Sequence, residues 1–355
     1  MNCHRPLARS LQIHAKFSPS LHTTTHNLLV RRSIMTSPSP RFSKVLIFGA
    51  TGEVASAAAL EARARGASVT LAMRDIAKTN QWITPDEERA AGLQRIKASL
   101  DSAEAVERAV RETGAEAAFI YAVHTPDNMR GVLTALRDAT SMKNVVFLST
   151  SQVRIAGTVK DDIRSVTKDH YIPWLHAQAE ITLQDLGVPH TALRAGFFAS
   201  NPLRIYLDKV TKKEVNLLAA DVRHDPVDPA DIGRAAAALL VGPRSDSASD
   251  VVYLNGPALL SQDEQWAIIN RELVAAGRLP VKINHITPQE YLANLAAIKV
   301  PDFVAQSLCK SMVDTRALYA PEDYEASKGT VEQLTGRAPT AFEDFVRREI
   351  PKYFD

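Results

Sequence analysis

Lys44-Val45-Leu46-Ile47-Phe48-Gly49-Ala50-Thr51-Gly52-Glu53-Val54-Ala55 is the stretch that decides the fold. A short apolar run passes through two glycines into residues with helical spacing. It predicts a buried strand Lys44–Phe48, a tight turn, and a helix Val54–Arg65 that stops at Gly66. Outward from there the rhythm repeats. Strands are expected at Ser68–Met73, Gln94–Ala98, Ala117–Val123, Asn144–Thr150 and His190–Arg194, with helices at Ser102–Glu112 and Asp127–Ala139. Strands alternating with helices of this length predict a parallel sheet covered on both faces, the α/β doubly wound class.

The glycines fall where the first strand hands over to the first helix. There the backbone turns tightly, and Gly49, Ala50, Thr51, Gly52, Glu53 and Val54 are the expected contacts of a pyrophosphate held at the helix N-terminus. A glycine pair alone is weak evidence, because any turn uses glycine. The flanking strand and helix, and a second strand about twenty residues on, supply the context of a Rossmann dinucleotide site. The third small position is Ala55, whose methyl group leaves the phosphates unobstructed. At the end of the second strand a carboxylate would bind the ribose of NAD. The first charge met there is Arg74, which suits a 2′-phosphate, so NADP(H) is the expected cofactor. The bland alternative is a solvated Arg74 paired with Asp75.

Charge excludes another class of partner. Residues 1–52 hold seven basic side chains and no acid. Removing those seven from 42 Lys+Arg leaves 35 against 40 Asp+Glu, a net of −5 for the rest. A body of that sign is a poor phosphate-backbone binder, and nucleic acid is excluded as a partner. No run of apolar residues is long enough to span a membrane. Two cysteines, Cys3 and Cys309, and scattered histidines give no metal-ligand spacing, so no metal is expected. The Ser-, Thr- and Arg-rich stretch 1–40 has the composition of a transit peptide, or of an extension ahead of a start at Met35. Cytoplasm and mitochondrial matrix are both open as locations, and so is a homo-oligomer.

Beyond the sixth strand the simple alternation stops. Short strands are expected at Val251–Leu254 and Val281–Ile286, and helices at Pro229–Leu240, Gln262–Ala275, Pro288–Ala297 and Asp302–Tyr319. The expected division is a tail 1–40, a nucleotide-binding domain 41–195 and a smaller mixed substrate lobe 196–355, with some lobe segments returning to the sheet. Trp266, Tyr291, Phe303, Met312 and Tyr319 are candidates to roof an apolar pocket, although most should be core.

From about residue 44 to 350 the chain resembles the NmrA-like family, an atypical branch of the short-chain dehydrogenases/reductases. The resemblance rests on Gly49-Ala50-Thr51-Gly52, Met73-Arg74-Asp75, Val145–Ser151, His176-Ala177-Gln178-Ala179-Glu180 and Thr191–Phe198 with Asn201. Asp228-Pro229-Ala230-Asp231-Ile232, Leu334–Arg337 and Phe342–Phe345 extend it. It implies NADP(H) binding, with Ser149, Phe197 and Phe198 near the cofactor. It also implies one of two roles: reduction of a carbonyl or activated double bond in a small hydrophobic molecule, or cofactor sensing without catalysis. A cofactor-holding isomerase or dehydratase is a further variant.

The catalytic pattern departs from the wider family. Short-chain reductases protonate a carbonyl with a tyrosine four residues before a lysine. Here the lysine position resembles His176, and Ile172 stands four residues earlier. His176 is the leading catalytic candidate, because an ordinary histidine exchanges protons near neutrality. Its alternative is a histidine hydrogen-bonded on a half-buried helix that begins near Pro173. Tyr171 is the second candidate, one residue off the expected face. Ser149 and Ser151 are expected on one face of the fifth strand, lining the cleft or satisfying backbone. Tyr121 and His124 sit just past the fourth strand, where ligands gather. The literal Tyr324…Lys328 pair lies outside the nucleotide half and is set aside.

Overall fold

The computed structural model describes residues 41–207, 211–242, 249–314 and 320–354. The expectations for the tail and for the helix as far as Tyr319 therefore lie outside the described residues. In chain order the first half runs β1 (Lys44–Phe48), α1 (Glu53–Ala64), β2 (Ser68–Met73), α2 (Pro85–Ala91), β3 (Gln94–Lys97), α3 (Ala103–Thr113), β4 (Ala117–Tyr121), α4 (Arg130–Asp138), β5 (Asn144–Thr150), α5 (Tyr171–Asp185) and β6 (His190–Ala195). The second half adds β7 (Glu214–Leu218), β8 (Arg223–His224), α6 (Pro229–Val241), β9 (Ser249–Leu254), β10 (Leu260–Ser261) and α7 (Gln262–Ala275). It closes with β11 (Lys282–Ile286), α8 (Pro288–Ala297), α9 (Asp302–Asp314), α10 (Pro321–Ser327), α11 (Thr330–Thr335) and α12 (Phe342–Phe354).

Seven strands form one parallel sheet in the order β3-β2-β1-β4-β5-β6-β9, the expected Rossmann architecture. Strand order reverses between β1 and β4, which opens a crevice at their carboxyl ends. One face is covered by α1, α6 and α11, the other by α3, α4 and α5. The central strands are buried on both faces, which is why β1 and β4 read as continuous apolar runs, whereas the edge strand β3 is only partly buried.

Helix α1 is alanine-rich because α6 lies almost against its backbone. Ala55, Ala58, Ala59 and Ala62 meet Ala235, Ala236 and Ala237 in one core. At Gly233 a Cβ would stand 2.5 Å from the Val54 carbonyl oxygen and 2.6 Å from the Ala57 Cβ.

Two local boundaries differ from expectation for identifiable reasons. The fourth strand ends at Tyr121, and α4 starts at Arg130, because Asn128 and Met129 take positive φ angles of 51° and 63°. Thr125 Oγ1 accepts from the Met129 N–H at 2.6 Å and Asp127 Oδ2 from the Gly131 N–H at 2.8 Å, which fixes that entry turn. Helix α2 was not anticipated, although Thr84 and Glu87 form a full capping box around Pro85.

The later segment divides between two cores. Helix α6 and strand β9 join the sheet, whereas Trp266, Ile269 and Leu273 of α7 pack with Phe345, Val346 and Ile350 of α12. Trp266 is fully buried there and roofs no pocket. The Asp228–Asp231 run ties the C-terminal segment down. Asp228 caps α6 through the Ala230 N–H and accepts two hydrogen bonds from Arg348, at 2.8 and 3.1 Å. Asp231 accepts from the Thr340 N–H at 2.7 Å.

The α1–α6 contact yields a test. Gly233→Ala should destabilise the fold by about 1–3 kcal/mol, since a methyl group must push two helices apart. Thermal melts should show a drop of several degrees, while an unchanged Tm would mean that the helices separate freely.

Candidate functional site

The phosphate loop is held from below by a buried amide. Asn80 Nδ2 donates to the Ala50 carbonyl at 2.7 Å, and Ser56 Oγ donates to the same oxygen at 2.9 Å. Gly52 N–H closes the turn on the Gly49 carbonyl at 2.8 Å. Gly49 has φ of 71°, and a Cβ there would fall 2.6 Å from the Tyr121 ring, so the position takes only glycine. Thr51 and Gly52 reach the surface, Val54 turns into the core, and Glu53 is half-buried at the first turn of α1. Glu53 Oε2 is buried without a hydrogen-bond partner. Burial first, then the charges of Glu349 and Asp228, push its carboxyl up to about 7. Asn80 and this carboxyl environment left no mark in the sequence.

At the carboxyl end of β2, Arg74 is exposed and has no hydrogen-bond or ion-pair partner among the described residues. Asp75 does not take it. That carboxylate accepts from the Ala77 N–H at 2.9 Å instead. Tyr121 lies over the loop close enough to feel the Arg74 charge, and burial raises its phenol pKa.

The carboxyl ends of β5 and β6 frame a cavity of about 360 Å³ that brings Ser149, His176, Phe197 and Phe198 together with Ile172 and His224. Ser149 is buried and its hydroxyl donates to Glu180 Oε1, so it anchors α5 to β5. Ser151 does not share its strand. The strand ends at Thr150, and Ser151 begins a short 3₁₀ turn capped by the Thr150 hydroxyl. Glu180 in turn pairs with Arg194 at 2.7 Å. The Phe197 N–H donates to Asp225 at 2.9 Å, and its ring lies 4.2 Å from that of His224.

His176 faces this cavity with its Nδ1 buried and unpartnered. Burial pulls its pKa down to about 4, against the opposing pull of the Glu180 charge and the Leu148 carbonyl. The expected near-neutral proton exchange is thus removed, because the pocket desolvates the imidazolium. His224 is pulled down to about 4 for the same first reason. Tyr171 opens α5 and sits outside the cavity wall. Its hydroxyl meets His124 Nδ1 at 2.9 Å, so it joins the loop after β4. Its ring stacks on Trp174 at 6.0 Å and meets the edge of Phe303 at 5.4 Å. Tyr324 donates to the Gly256 carbonyl at 3.0 Å, a structural contact away from these groups. Among the described residues, no cluster of His, Cys, Asp or Glu is arranged to hold a metal ion, and no helix is long and apolar enough to cross a membrane.

The sequence model of the NAD(P)H-binding family matches residues 49–243. The nitrogen metabolite regulation-like protein of Gibberella fujikuroi is 66% identical over 326 residues, which cover 90% of this chain and 100% of that protein. The chain belongs to the NmrA-like family. An NAD(P)H azoreductase of Xenophilus azovorans is 26% identical over 307 residues, 85% of this chain and 96% of that protein. Among solved structures, an NADPH-dependent quinone oxidoreductase from Escherichia coli superposes with a TM-score of 0.63 at 20% identity, covering 86% of this chain and 98% of that one. The cofactor of this NmrA-like protein is NAD(P)H.

The two depressed histidines make stability pH-dependent. Unfolded histidine takes its proton near 6.5, whereas His176 and His224 take theirs near 4 in the fold. Between those values the unfolded chain binds more protons, so stability falls as pH is lowered from about 6.5 toward 4. Denaturant midpoints at pH 7 and pH 5 should differ less in His176→Gln and His224→Gln than in the parent. An undiminished difference in both variants would place the penalty elsewhere.

Proposed function

We propose that this NmrA-like protein is an NADP(H)-dependent oxidoreductase that delivers hydride to a carbonyl or activated double bond of a small hydrophobic molecule. The observation that carries the proposal is the cavity at the ends of β5 and β6, where Ile172, Phe197 and Phe198 meet neutral imidazoles on the same sheet edge as the phosphate loop. The backbone N–H groups of Glu53 and Val54, at the start of α1, take the pyrophosphate. Arg74, free of other partners, takes the 2′-phosphate.

When bound, the nicotinamide supplies the hydride. The chain's own residues hold and protonate. Neutral His176 stands in the cavity wall at the position that resembles the family's lysine and would help to place the ribose there by contact of its ring, its Nδ1 being buried behind the wall. Tyr171 lies outside the cavity wall, next in the chain to Ile172 of that wall. Its phenol gives its proton to the developing oxyanion or carbanion of a substrate that reaches out of the cavity mouth, while His124 returns one from solvent. The aromatic surfaces of Trp174 and Phe303 beside it favour a flat apolar substrate. A second reading has a specific observation behind it. The 66% identical relative is named for regulation, and α5 lacks the Tyr-x-x-x-Lys pair, with Ile172 and His176 at those positions, which favours a cofactor-sensing protein. An isomerase or dehydratase would use the same residues without net hydride transfer.

Two measurements test the proposal. NADPH oxidation at 340 nm should proceed with members of a panel of ketones, quinones and enones, and Tyr171→Phe should slow turnover on the order of a hundredfold. Tight NADPH binding with no oxidation by any member would move the protein to the sensing role. Separately, Arg74→Glu should weaken NADPH binding by about 2 kcal/mol or more while sparing NADH, because a phosphate contact becomes a repulsion. Equal NADPH affinity in both proteins would remove Arg74 from the site.

A further inference from the structure

The wall beside the phosphate loop holds an unbalanced set of charges. Glu53, Asp228 and Glu349 bring three carboxyl groups into mutual range, and the cations among them are Arg348 and Lys352. Both cations are already committed. Arg348 binds Asp228 at 2.8 Å and Glu349 at 2.9 Å, and Lys352 binds Glu349 at 2.9 Å while resting 4.6 Å above the Trp82 ring. Asp228 and Glu349 are fully buried within those bonds, so the carboxyl left over is Glu53. Glu53 separates two cavities, one of about 450 Å³ toward Arg234 and Arg337, the other of about 520 Å³ toward Arg204 and Tyr353. The larger cavity opens on Thr51 and Gly52, the residues that flank the pyrophosphate position.

We propose that cofactor binding at this loop is coupled to the uptake of one proton by Glu53, so that affinity for NADP(H) falls as pH rises above neutrality. The pyrophosphate brings two negative charges to backbone N–H groups of the residue that carries this carboxyl. Like charge at that range opposes an ionised Glu53, whose Oε2 has no donor to offset it. The group is poised for this, since the free protein holds it near half-protonation at neutral pH. The charged groups nearest it are Arg348, Glu349 and Lys352 from α12, Asp228 from the start of α6, and the Tyr353 phenol, which burial raises to about 12. Across the two cavities it also faces Arg204, Arg234, Arg337 and Glu61. Below the pKa of the free protein the proton is in place and affinity is flat. Above it each binding event must take a proton from solvent, and Kd climbs toward tenfold per pH unit. The cofactor's own 2′-phosphate titrates near pH 6 and acts with the opposite sign, gaining charge for Arg74 as pH rises.

The test is calorimetric titration of the full chain with NADP⁺ at pH 6.5, 7.5 and 8.5, in buffers of different ionisation enthalpy, which count the protons bound. The expected result is a Kd on the order of tenfold weaker at pH 8.5 than at 6.5, with net proton uptake at pH 7.5. Glu53→Gln should flatten the profile and bind more tightly than the parent at pH 8.5. Glu349→Gln serves as a second variant. It frees Lys352 and Arg348 for Glu53, and should move the transition to lower pH. A pH-independent Kd without proton uptake, or a profile unchanged in Glu53→Gln, overturns the proposal. The inference rests on cofactor binding and not on catalysis, so its failure would appear with binding intact at pH 6.5.

Discussion

Glu180 and Arg194 form an ion pair sealed from water, and the cavity side of the sheet at β5 and β6 is assembled around it. Glu180 accepts both from Arg194 and from the Ser149 hydroxyl, and Arg194 donates onward to the Tyr253 hydroxyl at 2.7 Å. The body of α5 is thereby fixed to β5, β6 and β9 near the carboxyl ends of those strands. Tyr253 then donates to Asp161 at 3.1 Å, and Arg154 stacks over its ring at 4.0 Å, so the long loop before α5 is drawn onto the same network. The net worth of such a pair is small, because desolvation offsets most of the Coulomb attraction. Removing one partner is another matter, since a buried charge left alone costs about 3–5 kcal/mol. The stretch His176–Glu180 of α5 and the stretch Arg194–Phe197 that closes β6 are therefore coupled through Glu180 and Arg194. They look like two separate motifs in the chain and are one contact in the fold.

The sheet was legible in the sequence because its signals are local. Parallel strands buried on both faces must be apolar throughout, so β1, β2 and β5 announce themselves with their boundaries. The glycine turn and the helix after it follow from backbone geometry at single positions, as the φ of Gly49 illustrates. The groups that tune the site are of a different kind. Asn80 supports Ala50 from 30 residues away, and His124 meets Tyr171 across 47. Neither contact leaves a periodicity in the chain. The capping box at Thr84–Glu87 was the exception, a local signal that was present and unused.

The same limit applies to residue chemistry. A histidine in a sequence carries an intrinsic pKa near 6.5, and a glutamate one near 4.3. In the fold the order is inverted. His176 and His224 lose their protons first because their surroundings solvate no cation, whereas Glu53 keeps its proton because burial, and then the charges of Glu349 and Asp228, disfavour its ionised form. The acid–base character of this site is therefore a property of its packing and charge count, and composition does not carry it.

That inversion also bears on why one architecture serves reductases and sensors alike. A lysine at the His176 position would place a permanent charge beside the nicotinamide ribose and draw a neighbouring phenol toward ionisation. A neutral imidazole exerts no such field, so proton delivery has to come from a directly hydrogen-bonded partner. In the proposed reading that partner is His124, on the loop after β4, whose ring meets the Tyr171 hydroxyl, and Tyr171 is kept against it from another direction: its N–H donates to Ser307 Oγ on α9, and its ring abuts Phe303 on the same helix. In the proposed reading, cofactor binding rests on β1, α1 and β2, and proton delivery rests on how α9 docks against the start of α5. Because these are separate contacts, substitutions that loosen α9 would silence the chemistry and leave the dinucleotide bound, which is the physical difference between a reductase and a sensor built on this chain.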